Sequence, residues 1–176
     1  MNKYIFCLLP LFFFPVCIFS QSNEFRTNPE FSIALDYNNV GSTIASFRAG
    51  NRHFYGIAGL GYNWSAIDND AMVWEIGAGA HIGHGLLFNT DVEFKTSFYS
   101  TFKEIKTSQY TLSLLPGLKL VDQIELYIGP DISYIQTKHP GNHNLLRKGI
   151  TLWEKENSSR LQHLYIGFTT GIRYRF

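Results

Sequence analysis

From Gln162 to Phe176 the chain alternates. Leu164, Ile166, Phe168, Ile172, Tyr174 and Phe176 fall on one side, with Thr170 as the softest member. His163, Tyr165, Gly167, Thr169, Gly171, Arg173 and Arg175 fall on the other. Successive side chains of a β-strand point to opposite faces, so this is a strand with one apolar face and one small or cationic face. It runs well beyond the roughly 5–6 residues usual in a soluble sheet. Lipid against one face and a polar lumen against the other would account for both features.

Seven earlier segments read the same way. Strand one is Phe31–Tyr37, and strand two, Ser42–Gly50, has Phe47 outward and Ser46 and Arg48 inward. Strand three, His53–Trp64, sets Phe54, Leu60 and Trp64 against Tyr55 and Ile57. Strand four, Met72–Gly83, sets Trp74 and Ile76 against Glu75, Gly77, Gly79 and His81. Strand five, Leu86–Phe98, puts Asn89, Asp91, Glu93, Lys95 and Ser97 on one face, a set costly to bury in a soluble core. Strand six, Gln109–Leu120, and strand seven, Ile124–Gln136, carry Pro116 and Pro130 on their outer faces, and Pro116 suggests a bulge. Thr137–Arg160 is the longest connection, and strand eight follows it.

The connections after strands two, four and six are short, and those after three, five and seven are long. That alternation predicts an all-β, eight-stranded antiparallel up-and-down transmembrane barrel, with short periplasmic turns and longer outer loops. Ten strands would follow if the last loop hides a hairpin, for instance around Gly149–Trp153. A soluble secreted β-sandwich is the rival architecture. Glycines facing the lumen suit a narrow interior, where space runs out near Tyr55 and Tyr127.

The first residues stand apart. Lys3 is followed by an apolar run from Tyr4 to Phe19, and Ser20-Gln21 supplies a small residue before a polar one. This predicts a secretory signal over residues 1–20, a periplasmic lead-in over 21–30 and the barrel over 31–176. Cys7 and Cys17 both lie in the signal, so the mature chain is expected to have no disulfide and no thiolate metal site. The 15 basic residues include Lys3, so its removal leaves 14 against 14 acidic ones. A net charge near zero gives no support for nucleic-acid binding.

The inward faces gather Asp36, Glu75, Asp91, Glu93, Glu125 and Asp131 with Arg48, Lys95, Lys119, Arg173 and Arg175. Eight strands enclose a space that side chains roughly fill, so these groups are expected to form a mutually satisfied plug. A narrow conducting path is the alternative. His139 and His143 are four apart, but Pro140 and Gly141 preclude a helix that would align them on a metal. His53, His81 and His163 point inward and read as polar packing. No His-x-Ser pair marks the late strands for lipid hydrolysis, and no cofactor is expected. The Thr137–Arg160 loop carries Arg147, Lys148, Trp153 and Lys155, and is the best candidate for a surface that meets lipopolysaccharide phosphates or a protein partner; the alternative is that strands seven and eight extend past the membrane as a hairpin on which its apolar residues pack.

Terminal Phe176, with Tyr174, Ile172 and Phe168 at alternate positions, resembles the signal read by the barrel-assembly machinery. Trp74-Glu75-Ile76-Gly77-Ala78-Gly79-Ala80 and Leu126-Tyr127-Ile128-Gly129-Pro130 resemble strands of the small outer-membrane barrels of the opacity-like or OmpX-like group, in Bacteroidetes-type versions. The resemblance spans about Phe31 to Phe176. It implies an outer-membrane location, contact with outer-membrane lipid, and no catalytic residues. It also implies a structural or surface-interaction role, with a host-surface or protein partner among the options. A small pore or transporter and a lipid-modifying enzyme are the competing functions.

Overall fold

A computed structural model of the chain describes residues 29–39, 41–64, 71–85, 87–100, 106–138, 149–157 and 160–176. Nine strands appear in it. They are β1 (Glu30–Asn38), β2 (Ser42–Gly50), β3 (Phe54–Asn63), β4 (Ala71–His84), β5 (Phe88–Ser100), β6 (Lys106–Val121), β7 (Ile124–Lys138), β8 (Ile150–Asn157) and β9 (Arg160–Arg175). The signal and most of the lead-in lie outside the described residues. So do Arg147, Lys148, His139 and His143.

The strands pair antiparallel in the order β1-β2-β3-β4-β5-β6-β7-β9, and β9 closes on β1. Eight strands therefore form a closed barrel. Closure is staggered. The ladder partners run from Arg173 of β9 through Ala34, Ser46, Gly59, Glu75, Ser97, Gln109 and Ile135, and return to β9 at His163. The path thus comes back ten residues from where it began. Such a stagger goes with strands tilted by about 35–45° and an interior about wide enough for side chains.

β8 corrects the expected loop. The segment around Gly149–Trp153 does contain a strand, but it adds no membrane pair. β1 occupies the lower part of one edge of β9, from Ser32↔Arg175 to Asn38↔Thr169. β8 occupies the upper part, from Ile150↔Ile166 to Asn157↔Arg160. Both run antiparallel to β9, so they form one composite wall strand. Gly149 joins them: its φ is 135°, and a side chain there would crowd the Ile166 carbonyl and Asn39 at the top of β1. A bulge between Thr151 and Trp153 brings Trp153 opposite Leu164 on the outer face.

Other boundaries also shift. β1 begins at Glu30, inside the expected lead-in. β3 stops at Asn63, and it starts at Phe54 because Asn51 caps the turn by accepting hydrogen bonds from the His53 and Phe54 amides. β5 and β6 run into the expected Tyr99–Thr107 loop and leave only residues 101–105 between them. The expected bulge at Pro116 is absent. Pro116 keeps register with Thr90, and the ladder to β7 merely lapses between Ser113↔Asp131 and Gly117↔Tyr127, where Pro116 and Pro130 supply no N–H. The shifts lie lower down, between His81 and Gly83 and between Lys119 and Val121.

The outer wall is apolar. On β7, Ile128 and Ile132 face out, and on β9 Ile166, Phe168 and Ile172 do, all exposed. Phe31, Phe54, Phe88 and Phe176 ring the end that holds both termini of the barrel. Trp64, Tyr110 and Trp153 stand toward the other. This is the band with aromatic girdles of a membrane-spanning barrel. Inside, space is short. A Cβ on Gly79 would overlap the Tyr55 ring, and one on Gly171 would meet the Tyr127 hydroxyl at 2.5 Å.

Gly79→Val is therefore expected to lower stability by about 1–3 kcal/mol through overpacking. Combining it with Tyr55→Ala should cost less than the two changes summed. Urea unfolding in detergent micelles measures both, and strict additivity would count against the contact.

Candidate functional site

Strand alternation delivers the charged groups to the lumen. β1 supplies Asp36, β2 Arg48, β4 Glu75, β5 Asp91, Glu93 and Lys95, β7 Glu125, and β9 Arg173 and Arg175. Glu93 is the hub and is 0% exposed. Its carboxylate lies 3.4 Å from Lys95 Nζ and 3.2 Å from Arg173 Nη2. Arg48 Nη2 donates to it at 3.3 Å, and Arg48 Nε stands 3.1 Å away at an angle that misses a hydrogen bond. The Tyr55 hydroxyl donates to it at 2.7 Å.

The network spreads from there. Arg48 also holds Asp36 at 3.3 Å, which accepts from Ser46 at 2.9 Å and from the Tyr127 hydroxyl. Arg173 Nη1 reaches Asp91 at 2.5 Å, and His81 Nδ1 reaches the other Asp91 oxygen at 2.5 Å. Lys95 lies 3.9 Å from Glu75, which Ser97 also binds. Arg175 pairs with Glu125 at 2.6 Å toward the end that holds both termini. Tyr55 and Tyr127 act as cross-braces: the Arg173 guanidinium sits 5.6 Å and 5.2 Å from their ring centres. Buried ions cost several kcal/mol each in desolvation, and only complementary partners at this spacing offset that. The arrangement is thus a cross-linked network spanning several strands.

The lumen differs on either side. Toward the end that holds both termini a cavity of about 230 Å³ opens between Ser32, Asn51, Tyr55, His81, Arg175 and Phe176, with Arg48 and Arg173 of the network also in its wall. Toward the other end, neutral polar groups take over. Gln109 donates to Thr111 and Ser133 at 3.0 Å and to the Tyr165 hydroxyl at 3.1 Å, and accepts from Tyr99 at 2.5 Å.

The remaining sequence-predicted residues scatter. Asp131 sits above the plug, accepting from Thr169 at 2.9 Å and Ser133 at 3.4 Å. Lys119 is half-buried at the rim that holds both termini, where it donates to the Gly85 carbonyl at 3.0 Å. Trp153 and Lys155 stand exposed on β8, and Phe168, Ile172, Tyr174 and Phe176 face outward. Sequence reasoning missed one constellation at the outer rim. Thr151 Oγ1 lies 3.1 Å from His163 Nε2, and His163 Nδ1 lies 3.9 Å from Glu154 Oε2. Pairing across β8 and β9 creates it, and neither strand alone signals it. Among the described residues no group of three or more His, Cys, Asp or Glu could hold a metal ion.

Glu93→Ala leaves Arg48, Lys95 and Arg173 each short of one buried carboxylate and is expected to cost about 3–5 kcal/mol. Lys155→Ala, on an exposed strand, should change stability by less than about 0.5 kcal/mol. Unfolding in micelles compares them, and a Glu93 variant as stable as the parent chain would contradict the network's role.

No family model and no curated protein matches the chain. Among solved structures it is similar to Neisserial surface protein A, NspA, at 13% identity and a TM-score of 0.47, covering 84% of this chain and 94% of that one. It is also similar to a de novo designed transmembrane β-barrel at 14% identity and a TM-score of 0.43, with the same two coverages.

Proposed function

We propose that this is an exported outer-membrane β-barrel protein, its residues 1–20 removed, that acts without catalysis. Its role is structural or one of surface interaction, carried by the outer rim. The carrying observation is the Glu93-centred network, which joins strands on opposite sides of the lumen at the level of the apolar band. A barrel plugged there offers solutes no path, so its working surfaces are the outer wall and the rim. The extended β7, β8 and β9 segments are the rim's main projection. Lipid, lipopolysaccharide and a protein or host-surface partner are the candidate contacts, and Phe168, Ile172, Tyr174 and Phe176 serve assembly.

A second reading rests on Thr151, His163 and Glu154, whose order is that of a nucleophile, a base and an orienting acid. Such a site would cleave an ester at the outer surface. The 3.9 Å last contact and the nearly buried imidazole weigh against it.

In planar bilayers the folded protein should give no conductance steps above background. Steps in the parent chain would replace the plugged reading with a pore. Incubation with lipid A followed by mass analysis of the lipid should show no change. A mass loss abolished by Thr151→Val would establish the hydrolytic reading instead.

A further inference from the structure

The outer rim carries a row of like charges. Lys138 at the end of β7 stands directly opposite Arg160 at the start of β9. Lys155 of β8 lies opposite Gln162, two residues from Arg160. Lys138, Lys155 and Arg160 are all exposed. Strand parity places them on the outward face, since the neighbouring Thr137 and His163 are buried inward. The acids of the same hairpin, Glu154 and Glu156, alternate to the other face, where Glu154 approaches His163.

Like charges directly opposite one another in a ladder repel. A row of them persists at little cost where an anion lies between. The surface immediately below identifies the anion's source. One step down each strand from the row comes Gln136 or Gln162, and then the apolar band begins with Tyr134 and Leu164. Tyr134 packs near Tyr110, with ring centroids 6.2 Å apart, and Trp153 sits opposite Leu164 at 44% exposure. Aromatic residues at this position mark the level of lipid headgroups. Cations one turn of the pleat above them stand where phosphates lie, and an arginine fork suits a phosphate well.

We infer that the outward face of β7, β8 and β9 at the rim binds the phosphorylated headgroup of an outer-leaflet lipid carrying more than one phosphate. Its acyl chains lie along Ile132, Ile166 and Trp153. Lys138, Arg160 and Lys155 bridge its phosphates, and the lipid relieves the repulsion between them. This rests on the membrane reading above and gives the rim a specific partner.

Native mass spectrometry of the protein released from micelles tests it, with diphosphoryl lipid A, monophosphoryl lipid A and phosphatidylcholine as probes. The parent chain should bind the diphosphoryl form about tenfold or more tightly than phosphatidylcholine, with the monophosphoryl form between. Lys138→Glu combined with Arg160→Glu should erase that preference. Lys119→Glu, at the opposite rim, should keep it. Equal binding of all three lipids by the parent chain overturns the inference without needing any variant, and so does a preference unchanged in the double variant. Displacement by inorganic pyrophosphate at equal concentration would assign the site to free phosphate and likewise overturn the lipid assignment. Circular dichroism separates the two failures. A parent chain that takes up no sheet in micelles contradicts the membrane reading itself, whereas a folded chain without lipid preference contradicts only this inference.

Discussion

β9 is paired along both of its edges, and the rest of the structure depends on that. Hydrocarbon offers no partner for a backbone N–H or C=O, so a sheet crosses a bilayer only when it has no open edge. β7 covers one edge of β9 along its whole length. The other edge is longer than β1, and β1 ends at Asn38 opposite Thr169. β8 covers what is left. Its outward Ile150 and Trp153 carry the apolar wall above Tyr37 to the height that Leu164 reaches on β9. The hairpin β8–β9 is thus part of the barrel wall, although it contributes no additional crossing.

Closure at eight strands sets the interior. The ten-residue stagger leaves room for side chains and little else, and those side chains must satisfy one another. Tyr55 and Tyr127 lie across the lumen over Gly79 and Gly171, and two arginines stack against them. Glu93, without exposure of its own, is tolerable only because Arg48, Lys95 and Arg173 converge on it. The same network that offsets the cost of the buried charges cross-links strands on opposite sides of the lumen. The cavity at the end that holds both termini has Arg48 and Arg173 in its wall, and Lys138, Lys155 and Arg160 stand exposed at the opposite end.

Much of this was legible in the sequence, because a barrel strand writes its two environments into alternate residues. Met72–Gly83, Leu86–Phe98 and Gln162–Phe176 each announce a lipid face and a lumen face. Arg48 and Asp36 were assignable to the lumen on parity alone. What parity cannot supply is partnership across strands. The convergence on Glu93 depends on register and stagger, as does the approach of Thr151 to His163, and neither is written in any one segment. β8 was legible only as the alternative of a hairpin around Gly149–Trp153. Its bulge breaks the alternation, so Ile150, Leu152 and Trp153 read as a loop with scattered apolar residues. Pro116 misled in the opposite direction: a missing N–H was read as a bulge, whereas the ladder lapses without slipping.

The most direct test of the closed membrane barrel is membrane fractionation combined with migration on a detergent gel before and after boiling. The account predicts that the chain partitions with the outer membrane and that the unboiled form migrates apart from the boiled one, since a fully paired barrel resists detergent until heated. A chain that stays in solution without detergent and migrates identically in both lanes would contradict it. The apolar faces assigned here to lipid would then have to line a soluble core.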